Sequence, residues 1–205
     1  IKSQTVAIEA KMKIALVGNP NSGKTSVFNQ LTGLNQKIGN FPGVTVDKKS
    51  GILKRSHTPH EIIDLPGIYS LYPKTQDEQV VYDILGNQQH ADYPDRIVVV
   101  VDASNLERNL LLFTQVLDMG VPVTMALNMT DIADKKGLVI DTEKLSELLG
   151  GVQIVPIVAR TGVGINELVD EIISQKPHQA SQPFLGGEFD KGQFLITDST
   201  EQKTR

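Results

Sequence analysis

The chain contains no cysteine among its 205 residues, which removes disulfides, thiolate metal sites and cysteine nucleophiles at once and fits a reducing compartment such as the cytoplasm. Long hydrophobic runs are missing too. The longest purely aliphatic stretch, residues 97–101, is far short of the ~20 residues that span a bilayer, and the N-terminus lacks the charged-then-apolar pattern of a signal peptide. Nor is basic charge in excess: 20 Lys and Arg against 24 Asp and Glu give a formal charge of −4. That balance disfavours a generic cationic surface for nucleic acid or anionic lipid and leaves room only for a local basic patch. No internal repeat or low-complexity tract is present. What is there, 40% hydrophobic and 21% charged residues, is a globular composition of a length that suits one domain plus an appendage. The chain opens on Ile1 and its first methionine is Met12, so a piece of a longer protein is expected.

From Met12 onward, short β-rich runs alternate with longer segments of helical period, the pattern of repeated βα units on a mostly parallel sheet. The first strand is expected over residues 13–17. A helix follows from about Lys24, with Val27, Phe28, Leu31 and Leu34 on one face and Gly33 as its stop. Gly39, Pro42 and Gly43 break the pattern, so residues 34–46 are expected to form a loop, long enough to imply a function. An antiparallel pair is expected over residues 46–54 and 60–64, turned by residues 57–59. Thr75 to Glu78 reads as a helix start with acidic residues at its positive end. Residues 97–101 form a buried strand, and residues 104–119 a helix opened by the capping box Ser104-x-x-Glu107 and closed by Gly120 and Pro122. Further strands are expected at 121–127 and 152–157, a short helix capped by Asp141 or Thr142, and a last helix striped by Ile165, Leu168, Val169, Ile172 and Ile173. The expected division is a 1–11 extension, a 12–175 domain and a polar 176–205 linker or tail.

Gly18-Asn19-Pro20-Asn21-Ser22-Gly23-Lys24-Thr25 fits the G-x-x-x-x-G-K-[ST] phosphate loop and lies between a strand and a helix start, where backbone N–H groups can converge on a phosphate. Lys24 is expected to reach the β- and γ-phosphoryl oxygens and Thr25 to ligate Mg²⁺, with Ser26 closing the cradle in the first helical turn. Asp64-Leu65-Pro66-Gly67 follows at the end of an apolar strand, placing a carboxylate for Mg²⁺ and a glycine N–H for the γ-phosphate. Asn128-Met129-Thr130-Asp131 supplies an amide and a carboxylate at a fixed offset after another strand. A carboxylate that accepts from guanine N1–H and N2–H₂ would face a lone pair on adenine, an unpaired contact that discriminates by roughly 10⁴–10⁵.

These spacings resemble the small-GTPase domain, a three-layer α/β fold of the P-loop NTPase class whose mostly parallel, six-stranded sheet carries one antiparallel strand. Within it, GNPNSGKTSVFNQLTG, IGNFPGVTVDKKSG, IDLPGIYSLYP, VVDASNLERNLLLFTQ and ALNMTD are similar to the cytosolic G domain of FeoB-type bacterial ferrous iron transporters, from about Lys13 to Gln175. The resemblance implies a slow GTPase, binding GTP and GDP, at the cytoplasmic side of the bacterial inner membrane. Its implied partners are the membrane permease of the same parent chain, a small accessory iron-transport domain and a weak homo-oligomer, with no nucleic acid. Thr45 becomes the switch threonine that ligates Mg²⁺ when GTP is bound, and Gly67 the anchor of the second switch. Met129 replaces the lysine common in GTPases. Val158-Ala159-Arg160 becomes the last base loop, in which Ala159 N–H would contact guanine O6. The position after Gly67 is Ile68, which cannot orient water, and no arginine finger is evident. In similar proteins a potassium ion serves there, held in part by the asparagine that Asn21 matches. A helical domain follows the G domain in that family, and residues 176–205 do not resemble one.

Three further features of the sequence have plainer readings. His57 and His60 form an H-x-x-H pair, expected as a solvated turn rather than a metal site. Asp102 is expected to orient loops. An RNA-associated assembly GTPase would need a basic companion domain, which this tail, with Lys176, Lys191, Lys203 and Arg205 against four acidic residues, does not supply.

Overall fold

The computed structural model describes residues 10–34 and 36–174; the expected tail at 176–205 and most of the 1–11 extension lie outside them. The sheet begins with β1 (Lys13–Gly18), which leads into α1 (Lys24–Thr32). An exposed strand β2 (Gln36–Asn40) then runs back along β3 (Asp47–Ile52), and β4 (Glu61–Asp64) follows. The remaining elements are α2 (Gln76–Gly86), β5 (Arg96–Asp102), α3 (Leu106–Leu117), β6 (Val123–Asn128), α4 (Thr130–Lys135), α5 (Thr142–Leu148), β7 (Gln153–Pro156) and α6 (Ile165–Ile173).

Strand order is β2-β3-β4-β1-β5-β6-β7. β1 pairs in parallel with β4 and β5, while β3 is antiparallel to both β2 and β4, so one strand runs against the rest. The three-layer α/β architecture with a single antiparallel strand is as expected. The strand count is seven rather than six, because β2 lies inside the segment expected as a loop.

Alternate residues of β1 face opposite layers, which is why one short strand anchors two cores. Ile14 and Leu16 pack with Val27, Phe28 and Leu31 of α1 and with Leu168, Val169 and Ile172 of α6. Ala15 and Val17 pack with Val81 and Ile84 of α2 and with Leu112, Phe113 and Val116 of α3. The Ile97–Val101 run of β5 is buried on both faces beside β1, the pattern of a central parallel strand. Arg96, at the entry to β5, turns its guanidinium to the end of α6 and donates to Glu171 O at 3.3 Å and to Ser174 O. Burial lowers its pKa, and the Glu171 carboxylate opposes that shift. Among the described residues no helix is long and apolar enough to cross a membrane.

Two local expectations are corrected. The Ser104-x-x-Glu107 box does not open α3. Asp102 takes that role, accepting from Ser104 N–H at 2.8 Å and from Asn105 Nδ2 at 2.7 Å, so a 3₁₀ turn precedes a helix that starts at Leu106. A carboxylate at the strand end competes better than a serine two residues later, because it takes the first free N–H groups. His60 is not in a solvated turn: it is fully buried, and its Nδ1 accepts from Met12 N–H at 3.1 Å. The helix start expected at Thr75 to Glu78 forms, closed by a reciprocal capping box between Thr75 and Glu78.

Candidate functional site

Sheet topology carries the chemistry to one edge. β1, β4 and β6 run in the same direction, with β5 between β1 and β6, so residues 18–25, 64–68 and 128–131 all emerge at the same, carboxyl edge of the sheet. The phosphate loop turns there on two left-handed residues, Asn21 with φ 66° and Gly23 with φ 86°. Gly23 has no room for a side chain, since a Cβ would collide with the Asn128 amide. Gly18 is as confined, because a Cβ would lie 2.7 Å from Val100 O.

Lys24 and Asp64 come together as a salt bridge between side chains only 11% and 6% exposed. Their meeting follows from register: Leu16 pairs with Asp64, which puts the end of β4 beside the loop that leaves β1. The second-switch backbone continues the contact, with Leu65 N–H donating to Leu16 O at 3.1 Å and Ile68 N–H to Gly18 O at 3.2 Å. Gly67 passes Pro20 so closely that a Cβ would sit 3.4 Å from its backbone. Ile68 is 1% exposed and packs in the core.

The base motif is tied to the phosphate loop through Asn128. Its Nδ2 donates to Ser22 O at 2.9 Å, and its Oδ1 accepts from Ala159 N–H at 3.0 Å. One buried carboxamide thereby joins loops after β1, β6 and β7. Met129 adopts φ 62° at the entry to α4, and its side chain reaches toward Gly23, an apolar floor rather than a polar one. Asp131 lies 3.6 Å from Arg160 Nη2 and 3.9 Å from Lys135 Nζ; both cationic side chains are largely exposed, so these pairs contribute little energy and leave acceptor capacity. Gln30 of α1 holds the last loop by donating to Ala159 O at 2.9 Å, and Val158 N–H bonds Val163 O at 3.0 Å.

Lys24, Asp64, Gly67, Ser22, Asn128 and Ala159 thus converge, and Asp131 stands beside Arg160. Thr25, Ser26, Asn21 and Thr45 are exposed. Thr45 lies in the 41–46 loop, whose ends are fastened by buried Phe41 and Val46 through a 3.0 Å backbone bond, and no hydrogen bond joins it to the phosphate loop among the described residues. Two residues of the loop carry buried polar atoms without hydrogen-bond partners among the described residues, the amide oxygen Asn19 Oδ1 and the hydroxyl Ser22 Oγ, of which the hydroxyl can donate to a phosphoryl oxygen. Orphaned polar atoms in a glycine cradle, with a paired lysine and carboxylate, fit a magnesium-bound polyphosphate.

Sequence reading missed the clamp on the second switch. Arg108 stacks over the Tyr69 ring at 4.5 Å, its carbonyl accepts from Asn19 Nδ2 at 3.4 Å, and Gln115 Oε1 accepts from Leu71 N–H at 2.9 Å. Arg108 and Gln115 are seven positions apart on α3, hence on one face; that spacing was the available signal.

The model of a family described as ferrous iron transport protein B matches residues 12–172. A Porphyromonas gingivalis Fe(2+) transport protein A/Fe(2+) transporter FeoB fusion protein is 47% identical over 80% of this chain and 19% of its own length. The Fe(2+) transporter FeoB of Leptospira biflexa is 46% identical over 94% of this chain and 27% of its own. The chain therefore spans about a fifth to a quarter of those relatives. Among solved structures, an S. thermophilus NFeoB mutant bound to mGDP is 50% identical with a TM-score of 0.73, covering 78% of this chain and 60% of that one. The L. pneumophila FeoB cytosolic domain is 45% identical with a TM-score of 0.74, covering 82% and 65%.

Replacing Asn128 with alanine removes both ends of the staple and leaves Ser22 O and Ala159 N–H buried without it. Loss of about 1–3 kcal/mol per unsatisfied group is expected. Urea unfolding should show lower stability and nucleotide titration a weaker site; unchanged values in both would show that the staple is not structural.

Proposed function

Because the chain belongs to the ferrous iron transport protein B family, we propose that it is the cytosolic, GTP-binding and GTP-hydrolysing part of a bacterial membrane transporter for ferrous iron. Its switch loops would report nucleotide state to the membrane portion of the same parent chain. The single observation that carries this reading is the Asn128 staple, which sets a base-reading carboxylate, Asp131, in fixed relation to a phosphate loop. The Porphyromonas gingivalis fusion supports a small accessory iron-transport protein as a partner. No observation favours an RNA-associated role.

Gly18 to Ser26 would wrap the β-phosphate with backbone N–H groups at the start of α1, and Lys24 would exchange its contact with Asp64 for phosphoryl oxygens. Asp131 would accept from guanine N1–H and N2–H₂, with Met129 beneath, and Val158, Ala159 and Arg160 would border O6. Thr25, Thr45 and Asp64 would hold Mg²⁺, which supplies charge neutralisation on the β- and γ-phosphoryl oxygens. Thr45 can join them only by movement of the 41–46 loop, so that loop would order around the γ-phosphate. Gly67 N–H would meet the same phosphate.

Hydrolysis must proceed without a glutamine after Gly67, because Ile68 is buried in the core and its N–H is already bonded to Gly18 O. Asn21 is exposed at the loop crest, and its neutral carboxamide oxygen suits a large monovalent cation. It would hold K⁺, which supplies transition-state charge stabilisation in place of an arginine finger.

GTP should be preferred over ATP by several orders of magnitude, and Asp131→Asn should shift preference toward xanthine nucleotide, whose C2 oxygen needs a donor. Equal displacement of a fluorescent GDP by GTP and ATP in competition titration would sink the assignment. Potassium should raise the initial rate of GTP hydrolysis above sodium by roughly 10²–10³, the scale of one preorganised electrostatic group. Asn21→Ala should abolish that difference while retaining GTP binding. Equal rates in the two chlorides at matched ionic strength would point instead to a residue supplied by a partner.

A further inference from the structure

Charge is unevenly placed along this acidic chain. Residues 11–64 carry eight lysines and arginines against Asp47, Glu61 and Asp64, a local excess of +5 where the whole chain is −4. Lys24 and Lys48 are spent in salt bridges with Asp64 and Asp92. Lys11, Lys37 and Lys54 are exposed, and their side chains enter no ion pair among the described residues.

These lysines cluster at the open edge of the sheet. A groove of about 560 Å³ at the foot of the β2–β3 hairpin is lined by Lys11, Leu34, Gln36, Lys37, Ile52 and Glu61, with Ser50 and Gly51 at its back. Lys54 lies over Gly33, next to Leu34. Ser50 is 8% exposed, and its hydroxyl makes no hydrogen bond among the described residues. Two exposed aliphatic side chains line the groove, Leu34 at 69% and Ile52 at 45%; Ile38, 67% exposed, pairs with Lys49 and lies on the opposite face of β2 from Lys37. All five residues of β2 are exposed, and among the described residues no strand pairs with its outer edge.

We propose that this groove and the β2 edge form a docking surface for an anionic phospholipid bilayer, with a headgroup seated between Lys11 and Lys37. The lysines would meet the phosphate, Ser50 and Gln36 would hydrogen-bond the headgroup, and Glu61 would accept from its hydroxyls. Leu34 and Ile52 would enter the interface. Cationic and aliphatic side chains mixed on one edge match a lipid surface better than an acidic peptide, which would leave the aliphatic residues in water. The proposal rests on the reading above only in placing the chain beside a membrane. Three or four lysines give weak partitioning for a free domain, and tethering to a membrane part would raise the effective concentration into the millimolar range. Because β2 runs directly into the 41–46 loop, docking would grip the strand that carries the first switch.

The test is co-sedimentation of the 205-residue chain with vesicles of phosphatidylglycerol and phosphatidylcholine, against phosphatidylcholine alone. Binding is expected only with phosphatidylglycerol and should fall as salt shortens the screening length. Each lysine near the surface is worth about fivefold, so Lys11→Glu with Lys37→Glu should weaken partitioning by about 25-fold or more. Ile52→Ser should weaken it with no change of charge. Lys136→Glu with Lys144→Glu, of equal charge change elsewhere, should stay near the parent value. Absence of phosphatidylglycerol-dependent binding, or equal losses in the two charge-reversed pairs, would overturn the proposal. So would soluble polyglutamate competing as well as the vesicles do, which would indicate an acidic protein segment. GTP titration of the same samples is independent of the outcome, so a failed nucleotide assignment and a failed docking surface are told apart.

Discussion

The site depends on placing a lysine and an aspartate of opposite charge side by side where water scarcely reaches. Lys24 and Asp64 belong to segments 40 residues apart, and only the parallel pairing of β1 with β4 makes them neighbours. Losing one partner of such a pair costs about 3–5 kcal/mol, because the other is left as an uncompensated buried charge. A chain does not keep this arrangement for stability, since apolar residues of similar size would serve as well or better. It makes sense where a bound group brings both signs at once, phosphoryl oxygens for the lysine and a divalent cation for the carboxylate.

Around that pair the structure is braced by groups that cannot move independently. Asn128 fixes the phosphate loop to the last loop, Gln30 fixes the last loop to α1, and Gly67 packs in van der Waals contact with the backbone of Pro20. The two segments proposed to respond to a γ-phosphate are held in different ways. The 41–46 loop is tethered at both ends and exposes Thr45 between them. The second switch is gripped by Arg108 and Gln115 from one face of α3, with the Arg108 carbonyl also touching Asn19 of the phosphate loop. A displacement of Gly67 would therefore load α3.

Most of this was legible where periodicity or motif chemistry is local. The Ile97–Val101 run, the helical stripe from Ile165 and the phosphate loop itself could be placed without coordinates, because each is decided by neighbouring residues. β2 could not: Gln36 to Asn40 are exposed throughout, so nothing alternates, and the strand exists by virtue of its hydrogen bonds to β3. His60 was misjudged because its partner, Met12 N–H, is 48 positions away. The start of α3 was misplaced because a serine box and an aspartate turn compete within two residues, and only geometry reveals which carries the N–H groups. Arg108 and Gln115 were invisible as a clamp because their targets lie in another motif.

The central claim is that γ-phosphate is sensed by ordering of the two loops around the Lys24–Asp64 site. Amide hydrogen exchange, compared between the GDP-bound chain and the chain bound to a non-hydrolysable GTP analogue, tests it most directly. Exchange across residues 36–46 and 67–72 should slow with the triphosphate while residues 13–18 of the central strand stay unchanged. Identical exchange in both loops with the two nucleotides would contradict it.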